Sequence, residues 1–360
     1  MEGFLRGALT AEEGALLDSA AAFSERTVRP NANEWERARG QPVEALREAA
    51  SLGLLRLETP TEQGGLGHRY LVKLALCEEM SRADMAFTFS MVNTQNVASR
   101  LALSPAARHR DEHVPALISG GIFGATALSE PGAGSDFSAI RTRAERTEGG
   151  WRLDGEKAWI TNASIADLFI TCAQTDPAAG WRGSACFLVD ARKPGFTRRP
   201  AYDLMGGHAI GAGGFALENY IASEDDMIAP PGEAFKLAMK GVNGARVYVA
   251  AMCAGLLGNA LETALGYGAE RHAFGKSLLD HQGLNWSPGD VANDLEALRG
   301  VVGNAGGVID REQDAVMADA HAQGFDGHDT HPRIADCIQS MGAAGLREEY
   351  GLHRHLACAR

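Results

Sequence analysis

Cysteine is sparse in this chain of 360 residues: six, at positions 77, 172, 186, 253, 337 and 358. No pair has CxxC spacing, which excludes a zinc ribbon or redox dithiol and leaves reduced cytosolic thiols as the expectation. The opening Met1-Glu-Gly-Phe-Leu-Arg6 lacks the basic-then-apolar order of a secretory signal. No apolar run long enough to span a bilayer is legible. Cations are short, 34 Lys and Arg against 46 Asp and Glu, and the net charge of −12 argues against unspecific nucleic-acid binding. Gly64-Gly-Leu-Gly67 and Gly132-Ala-Gly134 lack the strand–GxGxxG–helix setting of a dinucleotide fingerprint. What remains is a cytoplasmic globular protein with room for two or three domains.

Three textures follow one another. Residues 1–120 carry helical stripes. Thr10 with Glu13 makes a capping signature before Leu16, Leu17, Ala20, Ala21 and Phe23, and Pro42 starts another helix. Further helices run from about Tyr70 to Met80 and from about Met85 to Leu103. Residues 121–232 read as short alternating strands at 139–144, 151–153, 168–172 and 185–189, punctuated by Gly149-Gly150, Asp154-Gly155 and Pro177-Ala-Ala-Gly180. Residues 233–360 return to helical periodicity. The fold class is therefore α+β: an N-terminal helical domain, a middle antiparallel β-domain and a C-terminal helical bundle. Strand and helix do not alternate, which disfavours a doubly wound nucleotide fold.

Two segments carry the chemistry. Thr126-Ala-Leu-Ser-Glu-Pro-Gly-Ala-Gly-Ser-Asp136 is a turn that offers backbone N–H groups with little Cβ obstruction, and Leu128, Ser129, Gly134 and Ser135 lie along it. Gly155-Glu-Lys-Ala-Trp-Ile-Thr-Asn-Ala163 is a strand that carries Trp159, Ile160 and Thr161. A flat ring cofactor needs such donors, such a hydroxyl and such an aromatic wall. A Gly-rich turn beside a core tryptophan is the plainer alternative.

In their order these motifs resemble the acyl-CoA dehydrogenase family nearly position by position. Arg271-His-Ala-Phe274-Gly275 with Gln282 resembles its R-x-x-F-G…Q element, and Gln339-Ser-Met-Gly342 resembles its Q-x-x-G-G segment. Ser129 replaces a usual Thr, and Ala343 a usual Gly. The resemblance implies FAD as cofactor. Thr126 to Ser135 and Trp159 to Thr161 then contact the flavin. Arg271, Phe274, Gln282, Gln339 and Gly342 serve the pyrophosphate and adenosine half from a neighbouring subunit, in a dimer or tetramer. Ser135, Asn243 and Arg246 face the pantetheine arm of an acyl-CoA or acyl-carrier thioester. Electrons leave to an electron-transfer flavoprotein or to oxygen. Gly207-His-Ala-Ile-Gly211-Ala departs from the family's R-x-x-D-T pattern, and a weakened ion pair there is expected to loosen the β-domain edge.

Desaturation also needs a carboxylate to take the α-proton. The family places it in one of two positions. One is occupied here by Ala245, which has no basic group. The other lies past the residue matching Arg360, the last of this sequence, so the resemblance implies a missing final segment or a relative that no longer desaturates. Glu348 and Glu349 read as exposed helix acids, His353 and His355 as surface or interface residues. Asn285-Trp-Ser-Pro288-Gly289 and the glycines at 300, 303, 306 and 307 predict a helix break at Pro288 and a weakly held segment after it. The 85–96 stretch, with Asn93, Gln95 and Asn96 among apolar residues, hints at a polar or short acyl group, or at helix–helix hydrogen bonds.

Overall fold

The Thr10 hydroxyl accepts from the Glu13 amide at 3.2 Å while the Glu13 carboxylate accepts from the Thr10 amide at 2.8 Å. This capping box opens α1 (Ala11–Phe23) in the computed structural model, which describes residues 5–360 and the side chains of all of them except 326–328. Of the opening stretch read for a targeting signal, Met1 to Phe4 lie outside the described residues. A π-turn over Ser24–Val28 joins α1 to α2 (Arg29–Ala38). α3 (Val43–Ser51), α4 (Tyr70–Ser81), α5 (Met85–Ala102) and the short α6 (Val114–Ile118) complete the first layer. Asp84 caps α5 by accepting from the Phe87 amide at 2.8 Å.

Eight strands follow: β1 (Gly124–Ala127), β2 (Arg143–Thr147), β3 (Gly150–Ile160), β4 (Leu168–Gln174), β5 (Ser184–Asp190), β6 (Phe196–Arg198), β7 (Gly213–Ser223) and β8 (Met227–Ala229). They form one sheet ordered β6-β7-β3-β2-β4-β5-β8, with β1 beside β4. Pairing is antiparallel except that β1, and one residue pair of β2, run parallel to β4. Every residue of β4 is buried because both its faces are covered. Ile170 and Cys172 pack toward α5, α6 and the start of the next helix, while Phe169 and Ala173 pack against β3 and β7. Two local expectations change. Of the 139–144 run only Arg143 and Ala144 are strand, the 3-10 turn before them ending at Ala139, and Asp154-Gly155 is no turn but a register shift inside β3.

α7 (Ala234–Glu270) is the axis of the last domain, and a small hairpin of β9 (His272–Ala273) and β10 (Lys276–Ser277) leads to α8 (Gln282–Asp310), α9 (Val316–Ser340) and α10 (Leu352–Cys358). By length and composition α7 could cross a membrane, contrary to the sequence reading. However, 72% of its most apolar stretch is buried, packed among α4, α8 and α9. Gly255 permits that approach, since a Cβ there would lie 2.1 Å from the Glu78 carbonyl oxygen. The expected break at Pro288 is absent: α8 runs through it, with Pro288 buried. The helix packs against α7 and α9, which offsets the lost amide, and farther along it Gly306 lets α8 approach α4, where a Cβ would meet Leu74 at 2.5 Å.

Cys172 and Cys186 are register partners on β4 and β5 and are joined as a disulfide, correcting the expectation of thiols throughout. Cys77, Cys253, Cys337 and Cys358 take part in no disulfide among the described residues.

Candidate functional site

The two motifs lie side by side, fastened by one buried ion pair. Glu130 and Ala133 exchange backbone hydrogen bonds at 2.9 and 3.2 Å, which closes the Pro131-Gly132 turn. The Glu130 carboxylate then accepts from the Arg141 amide at 2.6 Å, the Thr142 amide at 3.0 Å, the Thr142 hydroxyl at 2.6 Å and the Lys157 ammonium at 2.9 Å. Lys157 also donates to the Leu128 carbonyl at 3.0 Å, and the Ala158 amide donates to Ser129 at 3.1 Å. Burial alone would raise the Glu130 carboxyl, but Lys157 and Thr142 outweigh it and hold it below its usual value. Burial pushes Lys157 down to about 8 although Glu130 opposes the shift.

Beyond Lys157 the β3–β7 register shifts again before Ile160. This bulge places Trp159 at φ 61°, a left-handed conformation that is strained for a bulky residue, and turns its indole outward. Trp159 is 64% exposed, flanked by Tyr202 at a ring-centroid distance of 4.5 Å, while Ile160 beside it is buried. An exposed indole held by strained backbone beside a rigid turn is a candidate ligand wall and not a core residue. Gly134 and Ser135 are exposed, and their amides donate to no protein acceptor among the described residues. Thr126 and Thr161 are half-buried at the motif ends.

Behind the strand lies a polar network that sequence reasoning missed. Asn162, also at positive φ, donates to the carbonyls of Ser90 at 2.8 Å and Gly124 at 3.2 Å. Its side-chain oxygen accepts from Ser90 at 2.5 Å and Gln41 at 2.9 Å, and Asn93 donates to the Thr161 carbonyl at 3.0 Å. The signal was present: Asn162 ends the second motif, and Ser90 and Asn93 share one face of α5.

The 207–211 loop is not loosened by its departures from the family pattern. The amides of Gly207 and His208 each donate to Glu36 at 3.1 Å, and the His208 Nδ1 lies 2.8 Å from the same carboxylate. The Gln41 side chain fills the place where Gly211 would otherwise project one: a Cβ there would meet it at 2.0 Å.

The remaining residues form separate groups. Arg246 donates to Asn243 at 3.0 Å on α7, and Ala245 between them is half-buried. Arg271, Phe274 and Gln282 cluster around the β9–β10 hairpin, with Phe274 97% exposed and T-shaped on His281. Gln339 and Gly342 are exposed at the end of α9. Among the described residues no hydrogen bond, ion pair or ring contact links Arg271, Phe274 or Gln282 to the turn or to Trp159.

Glu348 pairs with Arg37 and Glu349 with Arg347, both at the surface as expected. His355, expected at the surface or an interface, is buried within the chain with Nε2 2.8 Å from the Asn259 Oδ1, and burial lowers its pKa well below the usual value. Its neighbour Arg354 is buried against Asp84, because α10 packs onto α7 and α5. An open groove between α8 and α9, of about 640 Å³ and lined by Gly300, Asn304, His321 and Phe325, shares no residue with this constellation.

Family models for the acyl-CoA dehydrogenase N-terminal, middle and C-terminal domains match residues 10–121, 125–220 and 232–360. The chain belongs to the acyl-CoA dehydrogenase family. It is 30% identical to the human mitochondrial short-chain specific acyl-CoA dehydrogenase over 347 residues, 96% of this chain and 84% of that one. It superposes with a TM-score of 0.93 on butyryl-CoA dehydrogenase from Megasphaera elsdenii, 27% identical, covering 98% of this chain and 93% of that one. A chain from the structure of the electron transferring flavoprotein of Acidaminococcus fermentans gives the same TM-score at 28% identity, covering 98% and 93%. The protein is therefore an oxidoreductase of this family, with the family's order of helical, β and helical domains.

Proposed function

We propose that this acyl-CoA dehydrogenase relative binds FAD against the Thr126–Ser135 turn and Trp159, and oxidises a short acyl thioester between its α- and β-carbons. The observation that carries this reading is the Glu130–Lys157 pair, which fixes the turn's free amides beside an exposed indole. These residues fit a flavin: unpaired N–H donors at Gly134 and Ser135, hydroxyls at Thr126, Ser129 and Thr161, and one flat apolar wall. Bound FAD would supply the two-electron acceptor for the β-hydride, and the α-proton would pass to a carboxylate that none of the residues assigned here provides. The turn orients the ring edge, and Trp159 with Tyr202 keeps water from one face.

Asn243 and Arg246, joined to each other, would hold the polar arm of the thioester with Ser135. Arg271 and Phe274, exposed and unconnected to the turn, suit the pyrophosphate and adenosine half of a flavin held by a second copy of the chain, in a dimer or tetramer. Electrons would pass to an electron-transfer flavoprotein or to oxygen.

Ala245 favours a second reading, a redox-neutral or carrier-specific relative, because it supplies no acceptor for the α-proton. Anaerobic mixing of the purified flavoprotein with acyl-CoAs separates the two. Bleaching of the flavin supports oxidation, and binding without bleaching supports the alternative.

A further inference from the structure

Beside Ala245 lies a polar cluster that the flavin does not use. Lys73 of α4 is 2% exposed, donates to Glu58 and to the Asn96 Oδ1 at 2.6 Å, and sits 5.1 and 5.4 Å from the ring centroids of Tyr248 and Tyr70. Tyr70 spends its hydroxyl proton on the Gly244 carbonyl at 2.6 Å. Tyr248 does not: it accepts from the Asn96 Nδ2 at 3.3 Å, and no acceptor takes its own proton among the described residues. Asn96 has a second amide N–H in the same position. Two donors thus remain beside a salt bridge whose charges cancel.

Their location relates them to the reaction. Phe89, Asn93 and Asn96 recur at i, i+4 and i+7 and share one face of α5. Asn93 on that face holds the Thr161 carbonyl, and Phe89 meets Tyr248 edge-on at 5.9 Å. On α7, Ala245 precedes Tyr248 by three residues, one helical turn of about 5 Å. Phe89, Asn96, Ala245 and Glu58, around this cluster, are only half-buried. Gln95, by contrast, turns away and donates to the Leu54 carbonyl.

Resting on the acyl-thioester reading above, we infer that the acyl chain is short and ends in an uncharged oxygen, a hydroxyl or carbonyl, that accepts from Tyr248 and Asn96. Lys73 and Glu58 already neutralise each other, so a carboxylate or ammonium end would meet a like charge along with the opposite one and find no unpaired counter-charge. An alkyl end leaves both donors unpaired, and sites with polar groups reject ligands that fail to pair them.

Five-carbon thioesters test this: 5-hydroxypentanoyl-CoA, pentanoyl-CoA and glutaryl-CoA, bound to the wild-type holoprotein and read by calorimetry, with flavin absorbance followed in parallel. The hydroxyl ligand is expected to bind at least about tenfold more tightly than pentanoyl-CoA, with glutaryl-CoA weakest. In Tyr248→Phe the hydroxyl-to-alkyl ratio is expected to fall to within about twofold of unity. Equal or tighter binding of pentanoyl-CoA, tightest binding of glutaryl-CoA, absence of binding by all three, or an unchanged ratio in Tyr248→Phe overturns the inference. The calorimetric order decides the subsite even when the flavin does not bleach, whereas absence of bleaching counts against oxidation alone.

Discussion

The Lys157 ammonium lies 2.9 Å from the Glu130 carboxylate, and both side chains are almost wholly buried. This pair joins the two sequence motifs into one surface. Removing one partner strands the other charge inside the protein, which typically costs about 3–5 kcal/mol. Glu130→Gln is therefore expected to lower the thermal midpoint and to reduce the FAD retained through gel filtration. Melting curves with and without added FAD check both effects.

Trp159 tests the wall separately from the fold. Its side chain is exposed, so Trp159→Ala is expected to change stability of the flavin-free protein by less than about 1 kcal/mol. FAD affinity is expected to fall about tenfold or more with loss of the stacking face. Equilibrium dialysis against FAD measures the affinity, and a chemical melt of the flavin-free protein measures the stability.

Asp319 gives a pH-dependent prediction. It is 2% exposed, and its Oδ1 has no hydrogen-bond partner among the described residues. Burial raises its pKa from 3.8 to about 6, with Arg246 opposing. Between those values the folded state holds a proton that the unfolded state has lost, so stability falls as pH rises through the window. Above it the charged form carries the full penalty. Asp319→Asn is expected to stabilise the protein by about 1–2 kcal/mol at pH 7.5, a gain that vanishes near pH 4. Urea unfolding at both pH values measures it.

Much of this was legible where local chemistry decides. The Thr10 box, the change of texture near Phe123 and the Glu130-Pro-Gly turn follow from short-range rules, and they stand in the structure. What was hidden depends on partners far away in sequence. Pro288 reads as a breaker, yet α8 continues because α7 and α9 hold it on both sides. Asp154-Gly155 reads as a turn, yet β7 pairs across it. His355 reads as a surface or interface residue, yet Asn259, 96 residues earlier, takes it into the core. Trp159 was recognised by type, but its outward turn comes from a bulge that no periodicity encodes.

The continuity of α8 has its own test. Val302, Ala305 and Gly306 are buried, so amides at 302–307 are expected to exchange as slowly as those of the neighbouring helices. Gly306→Val, which pushes into Leu74, is expected to destabilise by about 1–3 kcal/mol and to speed exchange in α8 and α4 together. Hydrogen-exchange mass spectrometry of both proteins checks it. Fast exchange confined to 300–307 in the wild type would favour the weakly held segment predicted from composition.

The most direct measurement is the visible absorbance spectrum of the purified protein with the FAD-to-protomer ratio. The expected result is a yellow protein carrying close to one FAD per chain, with that ratio reduced in Trp159→Ala and Glu130→Gln. A colourless protein that takes up no FAD on reconstitution, or one whose FAD content is unaffected by both substitutions, contradicts a flavin site built on the Thr126–Ser135 turn and Trp159.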